Sequence, residues 1–367
     1  MTINISTKKY FTEIKYLLIE GICLFFCVML ITNFDVCKKS VIQSLELCSR
    51  TLIPSMFPFM FLSAFLIKSG LFNRKIQLFD KITYKIFGLP FCAVIVFLIS
   101  IVGGFPVGGK TAKGLYEDGI ITENQASRLI LFCINPSPSF AINAIGYTLF
   151  GSSQVGVMIY ISVIIANIIT AILTRFIDDK KLPSNNNKAV KVSLSEAFVR
   201  SGSEASSAMI NVCGYVILFS CFVSLIGMVV ENQSVLNFIY GLSEVTIACN
   251  KLASLNNIPL IAGIVSWAGL GVHFQIMDCI EKTGTDIRLF LASRTVSASV
   301  SLIVCDLILK KFPIEVSAVM QASKVTFAPN ESSLPVSIAM LITCFLFLIG
   351  DYTVNSKIKR YKNIERK

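Results

Sequence analysis

Gly103-Gly104-Phe105-Pro106-Val107-Gly108-Gly109-Lys110 is the stretch on which the reading of the fold turns. An apolar run of about fourteen residues, Leu89 to Val102, leads into it, a few short of the roughly 20 that a spanning helix needs. Four glycines and a proline oppose a continuous helix through Lys110. In a membrane, broken backbone persists only where protein buries it or where it lines a wet cavity. The stretch is therefore the first candidate for a ligand site, with a Gly-rich turn between two helices as the plainer alternative.

Outward from it the chain reads as a membrane protein. Its 367 residues are 54% hydrophobic and only 15% charged, with mean hydropathy +0.71. A soluble chain carries about a quarter charged residues. Apolar stretches of spanning or near-spanning length recur at Leu17–Phe34, Leu52–Ile67, Leu89–Val102, Val155–Phe176, Met209–Val230, Pro259–Val272, Phe290–Leu309 and Leu334–Ile349. A further helix, from about Gln125 to Phe150, is interrupted at Asn135-Pro136-Ser137-Pro138-Ser139. The expected fold is an all-α polytopic membrane protein of about eight transmembrane helices, with broken or re-entrant Gly-Pro segments.

A net charge of +11 with 28 Phe would suit a nucleic-acid partner, but the charges sit in loops. Lys68, Arg74, Lys75, Lys81 and Lys85 fill one, and Arg175, Lys180, Lys181, Lys188, Lys191 and Arg200 another. Both termini are basic as well. The positive-inside bias accounts for all of this, puts both termini in the cytoplasm and makes the number of crossings even. The first apolar run is too long for a signal core and lacks a cleavage site, so it reads as a retained signal anchor. Most of the 12 cysteines lie in apolar helices, where Cys acts as a small hydrophobe. With no C-x-x-C pair and a single histidine, no metal, redox role or cofactor is expected.

Two halves of the chain share a pattern. At an offset of about 166 residues, Gly103 falls on Gly269, Ser100 on Ser266 and Arg128 on Arg294. Lead-in helix, glycine break, polar loop and Arg-bearing helix recur in that order, as an internal two-fold repeat. Paired Gly- or Pro-interrupted segments mark the substrate site in many secondary transporters. The basic loop from Arg175 to Arg200 is the natural linker.

Candidate site residues follow from these breaks. Gly104, Pro106, Gly108 and Lys110 belong to the first, and Gly271, His273 and Gln275 to the second. The stretch Gly104-x-x-x-x-Gly109-Lys110-Thr111 matches the phosphate-loop pattern but lacks its βαβ setting, so no enzyme is expected. Arg128 and Arg294 sit in apolar helices, where a cation faces a cavity or a partner; pairing with Asp118, Glu123 or Asp286 is the alternative. Asn135, Ser137 and Ser139 break a helix at membrane depth and free backbone groups. The titration of His273 near neutrality makes it a candidate for proton coupling. Glu244, Thr246 and Asn250 form a polar stripe of the kind that usually faces water.

These same residues carry a family resemblance. Gly-Phe-Pro-Val-Gly-Gly-Lys at 104–110, Glu-Asp-Gly at 117–119, Gln-Ala-Ser-Arg-Leu at 125–129 and Asn-Pro-Ser-Pro-Ser-Phe at 135–140 resemble the first half of the YlbJ-type sporulation integral membrane proteins. Gly-Leu-Ser-Glu-Val-Thr at 241–246, Gly-Leu-Gly-Val-His-Phe-Gln at 269–275 and Thr-Asp-Ile-Arg at 285–288 resemble the second. The resemblance runs from about Ser44 to Leu309. It implies a nucleoside-recognition Gate domain, a place in the membrane around the forespore, and delivery of dipicolinic acid to the spore. On it rests a division into a signal-anchor helix (1–39), two Gate-like repeats (40–176 and 201–309) around a basic cytoplasmic linker (177–200), and a C-terminal helix with a basic tail (310–367). The expected function is a carrier for a small organic anion working by alternating access. The expected partners are the lipid bilayer, the anionic substrate, and a second copy or other sporulation membrane proteins, with no nucleic acid. A dicarboxylate suits the forked guanidinium groups of Arg128 and Arg294, one per repeat. Alternatives are a non-transporting scaffold or sensor for cortex assembly, docking through the basic loop and tail, and a nucleoside-type transporter relying on Asn135, Ser137 and Gln275.

Overall fold

The computed structural model describes residues 3–69, 77–176 and 193–314, which are helical nearly throughout, with no strand among them. The first half contains α1 (Ile3–Thr32), α2 (Phe34–Leu47), α3 (Ile53–Lys68), α4 (Gln77–Phe87), α5 (Phe91–Gly103), α6 (Phe105–Glu117), α7 (Glu123–Phe132), α8 (Thr148–Phe150) and α9 (Ser153–Leu173). Wide π-type turns occupy Cys48–Leu52 and Ser139–Tyr147. The second half contains α10 (Leu194–Val229), α11 (Gln233–Ser243), α12 (Val245–Leu252), α13 (Ile258–Trp267), α14 (Gly269–Gln275), α15 (Met277–Lys282) and α16 (Ile287–Lys311).

Five segments are long and apolar enough to cross a membrane: Phe34–Lys68, Ser153–Phe176, Leu194–Val229, Ile258–Gln275 and Ile287–Lys311. A sixth counts if Asp80–Phe87 and Phe91–Gly103, bent by 74° at their junction, form one span. The described residues therefore hold fewer than the eight expected. Leu334–Ile349 lies outside them, and the first apolar run supplies only the shorter apolar helix Glu20–Thr32. Leu89–Val102 falls short because its helix stops at Gly104 and the chain folds back. A Cβ built on Gly108 would stand 2.7 Å from the Ser100 Cβ, so the residues four before and four after Gly104 touch. Gly104 takes φ +91°, a backbone open to glycine, and α5–α6 is a hairpin. Gly108 and Gly109 lie inside α6, whose only break is at its start. No phosphate loop exists there.

The other segments pair antiparallel. α2–α3 lies along α10, with the Ser40 hydroxyl donating to Ser224 (2.7 Å) toward one end and Lys68 paired with Glu204 (2.8 Å) toward the other. α10 has 36 residues, about 54 Å at 1.5 Å rise, well beyond a hydrocarbon core of about 30 Å. α7 and the following π turn run along α9: Asn135 bonds to Asn167 (2.8 Å), and Gly146 lies against Gly156, where any side chain would collide. Segment 123–150, whose apolar helix Ser139–Phe150 is too short to count among those crossings, is thus one broken segment. α13–α14 is another, lying along α16 through Gly263 against Leu302 and His273 against Phe290.

The repeated order is present, but its register differs from the expected one. The first half runs hairpin (α5–α6), broken span (123–150), straight helix (α9). The second runs hairpin (α11–α12, packed on each other across the single extended residue Glu244), broken span (α13–α14), straight helix (α16). The N-caps Thr122 and Asn257 correspond, as do Ser152 and Asp286, an offset of about 134 rather than 166. The Cys133–Pro138 gap therefore answers to Ala268–Gly269, and the hairpin tips Gly104 and Glu244 correspond in order although they lie 140 residues apart. Arg294 stands opposite Tyr160 in this register, not opposite Arg128. The 166 offset laid a hairpin tip over a kinked span, because glycine serves both.

Candidate functional site

The four breaks pair off and then meet. Gly104 packs on the second break of its own half: a Cβ there would stand 3.4 Å from the Ser137 Cβ and 3.1 Å from the Met56 methyl. In the second half, a Cβ on Gly269 would stand 3.1 Å from Glu244 Cα, and one on Gly271 3.4 Å from Glu244 Cγ. Between the two pairs lies a cleft of about 30 Å³, lined by Ser137, Glu244, Thr246 and Gln275 against Met56, Phe105, Phe140, Val216 and Val272. That volume admits a water or two. It is a small site, and all four of its polar lining residues come from segments marked by the sequence.

Local chemistry fixes each wall. Pro106 sits in the first turn of α6, where its missing N–H is harmless. Ser137 Oγ accepts from the Phe140 N–H (3.2 Å) and so starts the segment 139–147; Ser139 opens that segment and is half-buried. Glu244 caps α12 by accepting from the Ile247 N–H (2.8 Å) and from the Thr246 hydroxyl. Glu244 and Thr246 are buried, at 3% and 5% exposure, and only Asn250 of the expected water-facing stripe is exposed. Helical spacing had put a polar face there, but the hairpin tip turned it inward.

The two arginines do not line the cleft. Arg128 follows the capping box formed by Thr122 and Gln125, and its guanidinium donates to the carbonyls of Gly88 (3.0 Å) and Phe87 (2.6 Å) at the end of α4. Arg294, fully buried, donates to the carbonyl of Ile134 (3.1 Å), to that of Leu131, and to Asn167 Oδ1 (3.1 Å). These are the carbonyls that the break after α7 leaves without helical partners. No carboxylate pairs with Arg294 among the described residues. Asn135 belongs to the same network, donating to Ser100 Oγ (2.7 Å) and accepting from Asn167 (2.8 Å). Ser297 extends it by donating to Asn167 Oδ1 (3.0 Å) and bonding to Thr170 (2.7 Å). Asn167 is the hub that sequence reasoning missed; its signal was a lone amide in the apolar run Val163–Leu173.

The remaining candidates lie apart. His273 Nε2 bonds to the Trp267 carbonyl (3.0 Å), and its ring packs edge-on against Trp267 and Phe290, away from the cleft. Lys110 lies in a crevice with Ser63, Thr111 and Glu204, and burial holds its ammonium below the ordinary lysine value. Nearby, Lys113 pairs with Asp278 (2.6 Å) and joins α6 to α15; the hydrogen bond from Lys113 holds that carboxyl below its ordinary value. No group of three or more potential metal ligands occurs among the described residues.

Comparison with known proteins fits this arrangement. Residues 49–153, covering the first hairpin and broken span, match the sequence model of the Gate family, described as nucleoside recognition. The chain is 21% identical over 327 residues to the sporulation integral membrane protein YlbJ of Bacillus subtilis strain 168, covering 77% of this chain and 80% of that one. Together they make the chain similar to the YlbJ-type proteins that its motifs resemble. No solved structure matches.

Proposed function

We propose that this integral membrane protein is a carrier for a small organic anion, with dipicolinate as the lead substrate, working in endospore formation by alternating access between its two repeats. The observation that carries the reading is the convergence of three helix starts, at Gly104, Ser137 and Glu244, on one small cleft that the far end of α14 completes with Val272 and Gln275. Broken helices direct free N–H groups at such a point, the usual way a membrane carrier holds an anionic group without water. The sporulation role of the relative supports dipicolinate, and the membrane around the forespore is the corresponding location. Lys68 and Glu204 meet where both basic loops begin or end, which supports a cytoplasmic side with both termini on it.

One observation favours a second reading. Among the described residues no cationic side chain lines the cleft, while Ser137, Thr246 and Gln275 offer hydroxyl and amide groups, as a nucleoside would want. The two readings separate in liposomes containing the purified chain. Saturable dipicolinate uptake, not inhibited by nucleosides, supports the anion carrier; saturable nucleoside uptake replaces it. Flux equal to that of protein-free liposomes for both solutes leaves the scaffold, which should then lose its partners when the tail beyond Asn355 is deleted.

A further inference from the structure

Among the described residues Glu244 is the only charged side chain lining the cleft. It stands at the tip of the second hairpin, 3% exposed, with Gly269 and Gly271 of the neighbouring broken span packed against its Cα and Cγ. Two donors reach its carboxylate, the Ile247 N–H and the Thr246 hydroxyl; no lysine, arginine or histidine pairs with it among the described residues. The titratable groups in its field are thiols, Cys249 on α12 and Cys48 in the turn before α3, which itself couples to Cys213 of α10. On the facing α14, His273 is turned to Trp267 and Phe290.

This creates an electrostatic conflict with an incoming anion. The start of α12 is already capped by the Glu244 carboxyl, which burial pushes toward its protonated form and the bonds from Thr246 and Ile247 draw toward its charged one, and among the described residues the cleft has no cation to compensate a second negative charge. Two like charges a few ångströms apart in a dry cavity cannot both persist; one must take a proton or a counter-ion. A metal cation is poorly served. Ser137 Oγ accepts from Phe140, Thr246 donates to Glu244 itself, and apolar side chains make most of the wall, leaving too few oxygens for a coordination shell.

We propose that Glu244 is the proton-coupling site of the carrier: it is ionised and caps α12 when the cleft is empty, and it takes up one proton as the anion enters. The carboxylate oxygen gains the proton from the side to which the cleft is open, and loses it to the other side once the anion has left. Uptake of anion and proton is then one event, and the α12 cap is remade on release. This rests on the anion-carrier reading.

The test uses liposomes carrying the full chain, a trapped pH dye, the membrane potential clamped at zero, and dipicolinate as the probe. Dipicolinate added outside should acidify the lumen in step with its uptake, beyond any leak in protein-free liposomes. An inward gradient of one pH unit should raise the accumulation ratio about tenfold, the factor for one proton per anion. In Glu244→Gln, which keeps an acceptor for the Ile247 N–H, the gradient should no longer change accumulation. Wild-type uptake without acidification, uptake driven by a sodium gradient, or undiminished gradient dependence in Glu244→Gln would each overturn the proposal. No wild-type uptake at all would instead fail the carrier reading beneath it.

Discussion

Arg294 makes the sharpest demand on the structure. Its guanidinium bridges the gap after α7, one nitrogen donating to Ile134 O at 3.1 Å and the other to Leu131 O and Asn167 Oδ1. Lysine would keep the charge but replace a planar fork by a single, strongly hydrated point charge. At least one charge-assisted bond is lost, about 1.5–3 kcal/mol, and a buried carbonyl loses a donor for about 1 kcal/mol more. Leu131 O retains Ser293 (3.1 Å) and Ile134 O retains Asn167 (3.4 Å), which limits the second part. Arg294→Lys should therefore destabilise by about 2–4 kcal/mol, or roughly 5 °C in the apparent melting temperature of the detergent-purified protein. Adding Asn167→Ala should not be additive with it, because Arg294 and Asn167 bond each other and share the Ile134 carbonyl. An Arg294→Lys melting temperature within about a degree of wild type would refute the clamp, as would strict additivity with Asn167→Ala.

Other expectations follow from close approaches and charges. Gly108→Ala would drive its Cβ into the Cys133 carbonyl, so the hairpin should separate from the broken span; folded yield on size-exclusion should drop sharply, while Gly202→Ala, with open space at its Cβ, should match wild type. Asp278 is held low by Lys113, so the pair's contribution is fully present above the unfolded carboxylate value of about 4 and is lost as pH falls through the lower folded value. With Asp278 largely exposed that contribution is small, about 0.2–1 kcal/mol after screening. Lys113→Gln should accordingly show a shallower loss of thermal stability between pH 5 and pH 3 than wild type, and an identical slope would dismiss the link. For the cleft itself, Gln275→Ala should weaken dipicolinate binding by several-fold at unchanged abundance; an unaltered affinity in equilibrium binding would move the site elsewhere.

Much of this was legible in the sequence, and the rest was hidden for identifiable reasons. Apolar run lengths gave the membrane class, because a bilayer core tolerates little else. Glycine and proline located the breaks, and Thr122 with Gln125 gave the start of α7 to the residue. What a glycine cannot say is whether the chain reverses after it or carries on. Gly104 reverses and Gly269 carries on, at φ +91° and +74°, so the repeat was recognised but misregistered. The arginines were noticed for the cost of a cation in an apolar helix. Their partners are backbone carbonyls exposed by the breaks, which no residue type spells out. Glu244 was marked as a site candidate on a stripe of the kind that usually faces water, because polar periodicity records a face without recording what covers it.

In the proposed carrier one cleft opens to each side of the membrane in turn. Ser137 lines it at 2% exposure, and its side chain is small enough to exchange for cysteine. The decisive measurement is labelling of Ser137→Cys by a membrane-impermeant thiol reagent, in a chain whose accessible native cysteines are replaced, applied separately from each side of sealed vesicles. The account predicts labelling from both sides, with dipicolinate slowing it from either. Labelling from one side only, or a rate that dipicolinate leaves unchanged, would contradict it.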